Sequence, residues 1–399
     1  MAAHRPGKTE AARIPTDFGD LRTPRPFRYA FGERPMEPFL KAYKGRRVFV
    51  TGHSGFKGSW LCEWLLGSGA EVWGYSLAPA TRPFLFNQLG LARRLNHIQG
   101  DLRDASAVCR AVKAARPDYV FHLAAQPIVY TAHAHPADTW STNVMGTVNL
   151  LEALRTLNRP CAAVIVTTDK VYGHSPGIHT EHDPIGANDP YGASKAAVEL
   201  AVGAWRESFF PVRRIGPRGF PVVALATARS GNVIGGGDWA PGRLLPDCVR
   251  ALMAGTLIDV RNPAAIRPWQ HVLDPLAGYL MLGSQLKEAL SLRSASRLAE
   301  LSGSFNFGPK MGDHRPVREL VAEVLRHWPG KWRRAASNHP EETAVLRLNS
   351  GKARRILGWK PRWRFTEAVD RTVKWYRESP SPRGALELTR RQLAEYAEG

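Results

Sequence analysis

The sequence predicts a doubly wound α/β fold, in which helices cover both faces of a parallel sheet and a smaller C-terminal lobe binds a substrate. Short apolar runs alternate with helix-like stretches from residue 47 to residue 230, and a glycine-rich turn directly follows the first apolar run. Beyond Asn232 the chain becomes irregular, with Gly, Pro and Trp clusters between short helices. Strand–helix alternation is typical of a parallel sheet, because parallel strands need a crossover connection.

The individual elements are placed by their apolar pattern and by the turns between them. The run Val-Phe-Val at residues 48–50 is followed by glycines, a helix-like stretch and a second apolar run, which together predict a βαβ unit. The predicted strands are 48–50, 71–75, 95–99, 119–123, 163–167 and 222–228, and the predicted helices are 59–67, 105–115, 142–157 and 191–210.

The chain is predicted to divide into three parts. Residues 1–44 are basic and rich in Pro, Arg and Gly without periodicity, so we expect a disordered or loosely docked extension that catalysis does not need. Residues 45–230 form a dinucleotide-binding Rossmann domain that carries the catalytic residues. Residues 231–399 form most of a substrate-binding lobe, interleaved with returns to the main sheet.

Composition excludes several classes of protein. Of the 399 residues, 44% are hydrophobic and 23% are charged, which excludes a wholly disordered or fibrous chain. The four cysteines are too few for a disulfide scaffold and none is spaced as CxxC, so we expect no zinc ribbon or other metal site. No apolar run approaches about 18 residues and the start has no signal-peptide core, so we expect a cytoplasmic protein without a membrane span.

The formal charge of +20, from 55 Lys and Arg against 35 Asp and Glu, raises the question of nucleic-acid binding. The basic residues form no dense block with interleaved aromatics, and most of the excess is spread along the body of the chain. We therefore expect no nucleic-acid partner and a basic surface that suits a polyanionic small molecule.

The strongest local signal is the sequence Thr-Gly-His-Ser-Gly-Phe-Lys-Gly at residues 51–58. Gly52, Gly55 and Gly58 follow a predicted strand, where they permit a tight turn, close approach to a pyrophosphate and close packing of helix on strand. A helix that begins near Phe56 would point its unpaired N–H groups at the phosphates. The pattern predicts a bound dinucleotide.

The chemistry of the sequence leaves NAD and NADP both open. The acidic residue that usually binds the adenosine ribose is missing after the second strand, and Arg82 just beyond would favour a 2′-phosphate. Asp101 and Leu102, at the end of the third strand, are the predicted adenine contacts.

Tyr191 and Lys195 are the candidate base and its partner. Their i,i+4 spacing places both side chains on one face of a helix. A nearby ammonium favours the phenolate, so we expect the pKa of Tyr191 to fall from about 10 toward the working range.

Thr168, Asp169 and Lys170 lie at the carboxyl end of a predicted strand, where open α/β sheets bind their ligands. Thr168 is expected to hydrogen-bond a sugar hydroxyl while Tyr191 removes its proton. The adjacent Asp and Lys are either a second acid/base pair, which a simple oxidoreductase does not need, or a solvated pair in a turn. Which of the two is the acid stays open.

A third constellation downstream is the predicted substrate site. Arg243 and Arg267 offer planar donors for phosphate oxygens, and the glycines that follow Asn232 permit a close approach. Trp239 and Trp269 either stack on a base or sugar or belong to the core.

Four motifs together resemble the extended short-chain dehydrogenase/reductases that act on nucleotide sugars. They are TGxxGxxG at residues 51–58, HLAAQP at 122–127, STNVMGT at 141–147 and YxxxK at 191–195. The longer strings RSGNVIGGGDW and IRPWQHVLDPLAGYL are similar to the CDP-glucose 4,6-dehydratases within that family. The resemblance runs from about residue 46 to the C-terminal region and does not cover the N-terminal extension.

The resemblance implies a CDP-sugar as the substrate and tightly held NAD as the cofactor. By the same resemblance, Ala124, Ala125 and Gln126 contact the cofactor and Asn143 contacts the substrate. Tyr191 would start oxidation at sugar C4, while Lys195 tunes it and holds the nicotinamide ribose. Asp169 and Lys170 would remove water across C5–C6 before the hydride returns to C6, giving a 4-keto-6-deoxy sugar.

Several alternatives stay open at this stage. The loop at residues 172–189 lacks the Trp-rich sequence expected of the CDP-sugar enzymes. A 4,6-dehydratase or 4-epimerase of another nucleotide sugar is therefore a rival hypothesis. A non-catalytic dinucleotide-binding protein is a rival from a different class. The family also commonly pairs two helices of each subunit, which implies a homodimer or homotetramer.

Overall fold

The computed structural model describes residues 37–79, 83–173, 177–212, 222–335, 344–379 and 381–398. Its strands, in chain order, are β1 (Arg47–Thr51), β2 (Glu71–Ser76), β3 (Asn96–Gln99), β4 (Tyr119–His122), β5 (Cys161–Val166), β6 (Val223–Ser230), β7 (Val233–Ile234), β8 (Ile258–Val260), β9 (Ile266–Pro268), β10 (Gln270–His271), β11 (Ser304–Phe307), β12 (His314–Pro316) and β13 (Trp332–Arg334).

Its helices, in chain order, are α1 (Pro38–Lys41), α2 (Phe56–Gly67), α3 (Leu85–Gln88), α4 (Ala105–Ala115), α5 (Val129–Ala134), α6 (Pro136–Trp140), α7 (Gly146–Arg155), α8 (Pro190–Phe209), α9 (Leu244–Met253), α10 (Leu273–Ser291), α11 (Ala295–Leu301), α12 (Val317–His327), α13 (Gly351–Leu357), α14 (Phe365–Glu378) and α15 (Pro382–Glu398). Turns of 3₁₀-helix lie at Leu91–Arg93, Asp169–Val171 and Met311–Asp313, and a π-helical turn lies at Ser141–Met145.

A seven-stranded sheet in the order β11-β6-β5-β4-β1-β2-β3 organises the described part of the chain. All its neighbouring strands pair in parallel. Along β1, Val48 and Val50 belong to the core on one face of the sheet, whereas Phe49 belongs to the core on the other. The strand order reverses between β1 and β4, which is where such sheets open a ligand crevice at their carboxyl ends. The predicted doubly wound fold is confirmed.

The first six strands, α4 and α8 lie within two residues of their predicted bounds. The predicted helix at 142–157 is wrong at its start, because residues 141–145 form a π-helical turn ahead of α7. The Thr147 hydroxyl donates a hydrogen bond to the carbonyl oxygen of Asn143 at 2.6 Å. This side-chain bond gives a partner to a carbonyl group within the wider π-helical turn.

The C-terminal part of the chain returns to the main sheet through β11, which pairs with β6. Three small two-stranded pairs, β7 with β10, β8 with β13 and β9 with β12, build the region beyond the sheet edge. The division into domains at residue 230 stays a prediction. Within the residues described above, no helix combines the length and the hydropathy that a membrane crossing requires.

The expectation of a loose extension as far as residue 44 is wrong for residues 37–44; residues 1–36 lie outside the described part. Leu40 and Tyr43 are fully buried, and the Tyr43 hydroxyl hydrogen-bonds the carbonyl oxygen of Leu280 on α10. The sequence did not reveal these two buried apolar residues, because α1 has only one turn and therefore shows no helical period in a segment rich in Pro and Arg.

The two ends of the described chain meet through one arginine. The Arg362 guanidinium hydrogen-bonds both the Glu37 carboxylate and the carbonyl oxygen of Tyr396 on α15. The Tyr396 hydroxyl and the backbone N–H of Arg362 both donate to Oδ1 of Asp274, at 2.8 Å and 2.7 Å. The first helix, the last helix and the start of α10 are therefore one packed unit.

Replacement of Leu40 by Ala is expected to lower the free energy of unfolding by about 2–4 kcal/mol, because it leaves a cavity under α1. Lys41→Ala, at the exposed neighbouring position, is the matched control and is expected to change it by less than about 0.5 kcal/mol. Denaturant unfolding of the full chain measures both. Equal effects of the two variants would show that α1 does not pack as described.

Candidate active site

The turn after β1 forms a close-packed cradle. Gly52 has a φ of +71°, a conformation that favours glycine. A Cβ on Gly58 would lie 2.1 Å from the carbonyl oxygen of Gly52, so α2 packs on the turn at a distance that no other residue permits. The helix begins at Phe56, directly after Gly55, and its first N–H groups therefore lie at this turn.

The end of β4 closes the other side of the cradle. A Cβ on Gly52 would lie 2.7 Å from the backbone nitrogen of Ala124, and Ala125 lines the neighbouring cavity. The Gln126 side chain instead folds back on its own loop, where its Oε1 accepts from the Ile128 N–H at 2.6 Å. The structure thus supports a cofactor surface at both alanines and gives Gln126 a role in shaping the loop.

The predicted adenine contacts lie at the end of β3. Asp101 accepts hydrogen bonds from the backbone and the guanidinium of Arg103, and its side chain is partly exposed. Leu102 is buried, and a Cβ on Gly146 would lie 2.7 Å from the Cβ of Leu102, so α7 packs closely against it. Both contacts stay predictions, and Arg82 lies outside the described residues.

The catalytic candidates converge where β5 ends and α8 begins. Thr168 accepts a hydrogen bond from the Lys170 N–H and donates its hydroxyl to Oδ1 of Asp169 at 3.0 Å. Asp189 caps α8 by accepting from the N–H groups of Tyr191 and Gly192, which fixes the first turn of that helix. Thr168 also hydrogen-bonds the Tyr191 side chain, so the strand end and the helix start meet at these two hydroxyls.

The environment of Tyr191 corrects one expectation from the sequence. Burial raises the pKa of Tyr191 to about 12, and among the described residues Arg243, rather than Lys195, is the cation that most lowers it. Lys195 donates from Nζ to the carbonyl oxygen of Val166 at 3.1 Å, and burial lowers its pKa to about 8. The i,i+4 spacing brings both side chains into the site, but desolvation opposes the phenolate.

Asp169 is a buried carboxyl that favours its protonated form. Burial raises its pKa above the ordinary value, and the nearby Lys170 ammonium only partly opposes this. Its Oδ1 accepts from Thr168, whereas its buried Oδ2 has no hydrogen-bond partner among the described residues. A protonated carboxyl with one uncommitted oxygen is suited to donate a proton to a ligand.

A cavity of about 300 Å³ at the carboxyl edge of the sheet brings most of the predicted residues together. It is lined by residues of the cradle, the catalytic candidates and the downstream constellation: Phe56, Ala125, Thr168, Asp169, Lys170, Tyr191, Lys195, Asn232, Arg243, Arg267 and Trp269. Asn143 does not line this cavity, and its predicted contact with the substrate stays a prediction. It is buried and its amide donates to Ser194 at 2.9 Å, so it supports α8 from behind.

Four residues of the downstream constellation, two arginines and two tryptophans, sit in distinct surroundings. Arg243 pairs with Asp238 at 2.9 Å, and Arg267 is buried close enough to Asp169 to lower the pKa of that carboxyl. Trp269 both lines the cavity and belongs to the core. Trp239 does not line the cavity and packs edge-to-face on Tyr376 instead, 5.0 Å between ring centroids.

Sequence reasoning missed Lys57, which lies inside the glycine motif. Its Nζ donates to the hydroxyls of Ser230, at 2.8 Å, and of Tyr279, at 3.2 Å. Burial lowers the pKa of Lys57 to about 7; the charges of Arg243 and Lys195 lower it further, and Asp169 raises it. Lys57 therefore contributes a titratable charge to the site. The sequence does not show this role, because the partners of Lys57 come from distant segments of the chain.

Arg261 is a second residue that the sequence did not single out. It lines the cavity, donates to the carbonyl oxygen of Gly242 at 2.8 Å, and places its guanidinium 4.5 Å from the centre of the Tyr130 ring. Its position adds a third arginine to the cavity beside Arg243 and Arg267, which suits a ligand with several negative charges.

A dinucleotide cradle, a Tyr and Lys on one helix, and a Thr at the neighbouring strand end define an extended short-chain dehydrogenase/reductase. Residues 49–372 match the family model described as GDP-mannose 4,6 dehydratase. A CDP-glucose 4,6-dehydratase of Salmonella typhimurium is 40% identical over 358 residues, which cover 89% of this chain and 97% of the relative. The chain belongs to this family of nucleotide-sugar 4,6-dehydratases.

Solved structures show the same relationship. A dTDP-glucose 4,6-dehydratase from Streptomyces venezuelae, determined with NAD bound, is 26% identical with a TM-score of 0.68 over 84% of this chain and 97% of that one. A UDP-glucose 4-epimerase from Thermus thermophilus, also determined with NAD, is 27% identical with a TM-score of 0.68 over 84% and 99%. The similarity thus extends across both dehydratases and epimerases.

Replacement of Arg243 by Gln is expected to raise the pKa of Tyr191, because it removes the cation that most favours the phenolate. Since the base acts when deprotonated, the acidic limb of the kcat profile for a nucleotide sugar is expected to move to higher pH by roughly one unit. Arg377→Gln, on the exposed end of α14, removes the same charge outside the cavity and is the control. An unmoved limb in Arg243→Gln would contradict the assignment.

Proposed function

We propose that the protein converts CDP-D-glucose to CDP-4-dehydro-6-deoxy-D-glucose and water. The observation that carries this proposal is the placement of Asp169 and Lys170 in one cavity with Tyr191 and Lys195. The Tyr and Lys serve an oxidation, whereas the Asp and Lys add the acid and the base that loss of water needs. The relative named CDP-glucose 4,6-dehydratase, at 40% identity, supports the choice of sugar nucleotide.

The cradle after β1 fits NAD, because Gly52 and Gly58 let strand, turn and helix pack so closely that the first N–H groups of α2 lie at the turn, where a pyrophosphate binds. Gly55, the start of α2 at Phe56, and Ala125 would hold the cofactor beside the catalytic residues. Bound there, NAD would supply the hydride acceptor for oxidation at sugar C4 and the hydride donor for reduction at C6. The solved relatives with NAD support this cofactor over NADP.

Tyr191 is proposed to take the proton of the C4 hydroxyl. Thr168, which already hydrogen-bonds Tyr191, would hold that hydroxyl in place. Lys195 and Arg243 supply the positive charge that offsets the cost of a buried phenolate. The result is a ketone at C4, which acidifies the hydrogen on C5.

Asp169 is proposed as the acid of the elimination and Lys170 as the base. Burial raises the pKa of Asp169, which favours a proton on its carboxyl, and its uncommitted Oδ2 is the atom that would deliver this proton to the C6 hydroxyl. Lys170 would remove the C5 proton as the C6–O bond breaks and water leaves. The resulting intermediate keeps the C4 ketone and gains a C5–C6 double bond, and its reduction would add the hydride at C6 and return the proton from Lys170 to C5.

Arg243, Arg267 and Arg261 are proposed to bind the diphosphate and nucleoside end of the substrate. All three line the cavity, and their guanidinium groups match the geometry of phosphate oxygens. Asn232 and Trp269 would contact the sugar or base from the same wall.

We further propose a homodimer or homotetramer that associates through α6, α8 and the π-helical turn between α6 and α7. Large apolar side chains on these neighbouring elements are exposed, including Trp140, Met145, Leu200 and Phe209. A cytoplasmic location is proposed as well, because the four cysteines are free thiols, which suits a reducing compartment.

Incubation of the purified protein with CDP-glucose is expected to yield a 4-keto-6-deoxy product, detected by its absorbance in alkali and by mass spectrometry. UDP-, dTDP- and GDP-glucose run beside it, and CDP-glucose is expected to give the highest kcat/KM. Unchanged sugar, or its galactose epimer, would contradict the proposed dehydration. A preferred nucleotide other than CDP would revise the substrate alone.

Two variants are expected to separate the chemical steps. Tyr191→Phe should lower product formation by roughly 100-fold or more, without transient NADH absorbance, because oxidation itself is blocked. Asp169→Asn should retain the NADH transient and slow the elimination, because the acid is lost after oxidation. Transient absorbance and solvent deuterium exchange at C5 measure the two steps. An Asp169→Asn enzyme with wild-type turnover would show that the acid lies elsewhere.

A further inference from the structure

The Glu199 carboxylate is the meeting point of four elements around the site. Glu199 lies on α8, four residues after Lys195, and is buried. It accepts hydrogen bonds from side chains of β6, of β11 and of the residue that follows β5: Thr167 at 2.5 Å, Thr227 at 2.7 Å, Ser304 at 2.9 Å, and Arg229 twice at 2.9 Å. Five donors on one buried carboxylate exceed what packing alone would need.

The Glu199 carboxylate is held in its charged form. Burial alone would raise its pKa, but the hydrogen bonds and the charge of Arg229 outweigh burial and hold the pKa below the ordinary value. Arg229 is itself buried, and it also donates to the Tyr172 hydroxyl at 2.8 Å and to the Ser304 hydroxyl at 2.9 Å. The ion pair is therefore a fixed unit between helix and sheet.

The bond from Thr167 is the one that reaches the proposed catalytic residues. Thr167 directly precedes Thr168, so its bond to Glu199 links the end of β5 to the helix that carries Tyr191. Thr227 makes an equivalent bond from β6, one strand further away, and has no catalytic neighbour in the chain. Glu199 thus accepts one hydrogen bond, from Thr167, that connects it to the reacting groups, and another, from Thr227, that does not.

We propose that Glu199 is a positioning residue of the reaction. It keeps α8, which carries Tyr191, at a fixed position relative to the end of β5, where Thr168 lies. This inference rests on the proposed function, because it assigns Glu199 a purpose within that reaction. Glu199 does not line the cavity, so it acts on the substrate through these neighbours.

Glu199 also acts on Lys195 through its charge. Burial lowers the pKa of Lys195 and Glu199 raises it again, which favours the ammonium. Among the residues that the structure describes, Lys57 of α2 and His122 of β4 also interact electrostatically with Lys195. Removal of the Glu199 charge is therefore expected to lower the pH at which Lys195 loses its proton.

The test compares two variants that each remove one hydroxyl from the same carboxylate. Thr167→Val is expected to lower kcat roughly tenfold with KM within about twofold, because the strand end and the helix lose their fixed positions. Thr167 also lines the cavity, so the double-mutant cycle below separates a direct contact with the ligand from an action through Glu199. Thr227→Val is the matched control, with kcat expected within about twofold of wild type. Both variants are expected to shift the thermal unfolding midpoint similarly. Equal kcat values, or a change confined to KM, would overturn the proposal.

Glu199→Gln completes a double-mutant cycle with Thr167→Val. If Thr167 acts through Glu199, the double variant is expected to be no slower than Glu199→Gln alone; multiplied losses would show a direct role of Thr167 and overturn the proposal. The alkaline limb of the kcat profile should also move to lower pH in Glu199→Gln. If this variant does not fold, the comparison of the two threonine variants still decides.

Failure of the proposed function is recognised separately, in the wild-type enzyme. All kinetic comparisons use whichever nucleotide sugar the wild-type protein converts best. A different preferred sugar would revise the substrate and leave the roles of Glu199 and Thr167 to be decided by the variants.

Discussion

Buried charge at the carboxyl edge of the sheet is the constraint on which the rest of the structure depends. Asp169, Lys195 and the Glu199–Arg229 pair are buried and Lys57 is partly buried, in surroundings where an unpartnered charge costs several kcal/mol. Each is therefore stabilised by a neighbour from a different segment of the chain. Burial also moves the pKa values of the two lysines and of the Asp169 carboxyl toward neutral pH. A group whose pKa lies near the working pH is best suited to give or take a proton.

Most of the sheet could be predicted, because its strands carry continuous apolar runs that are buried on both faces. All six residues of β5, for example, are buried, and the run is visible in the sequence. The α5–α6 segment and the π-helical turn after it could not be predicted. Their backbone follows the side-chain bonds of Gln126, Asn143 and Thr147, which no hydrophobic period reveals.

The site was predictable where its members are adjacent in sequence. The glycine cradle, the Thr-Asp-Lys strand end and the Tyr–Lys helix each fit within eight residues. Lys57 was missed because its partners, Ser230 and Tyr279, lie 173 and 222 residues away. The expected fall in the pKa of Tyr191 was wrong for a related reason: the spacing shows the neighbouring ammonium but not the depth of burial.

The contact of Glu37 and Tyr396 with one arginine has a topological consequence. Because both ends of the described chain lie at Arg362, the path of the backbone is nearly a closed ring. In a chain that lacks residues 1–36, Glu37 could be joined to the end of α15 by a short linker and new termini opened in a surface loop, while the order of strands in the sheet stays unchanged. Because α1 and α15 contact the same arginine, local unfolding of either helix removes a packing partner of the other. The two helices are therefore expected to gain and lose protection from hydrogen exchange as one cooperative unit.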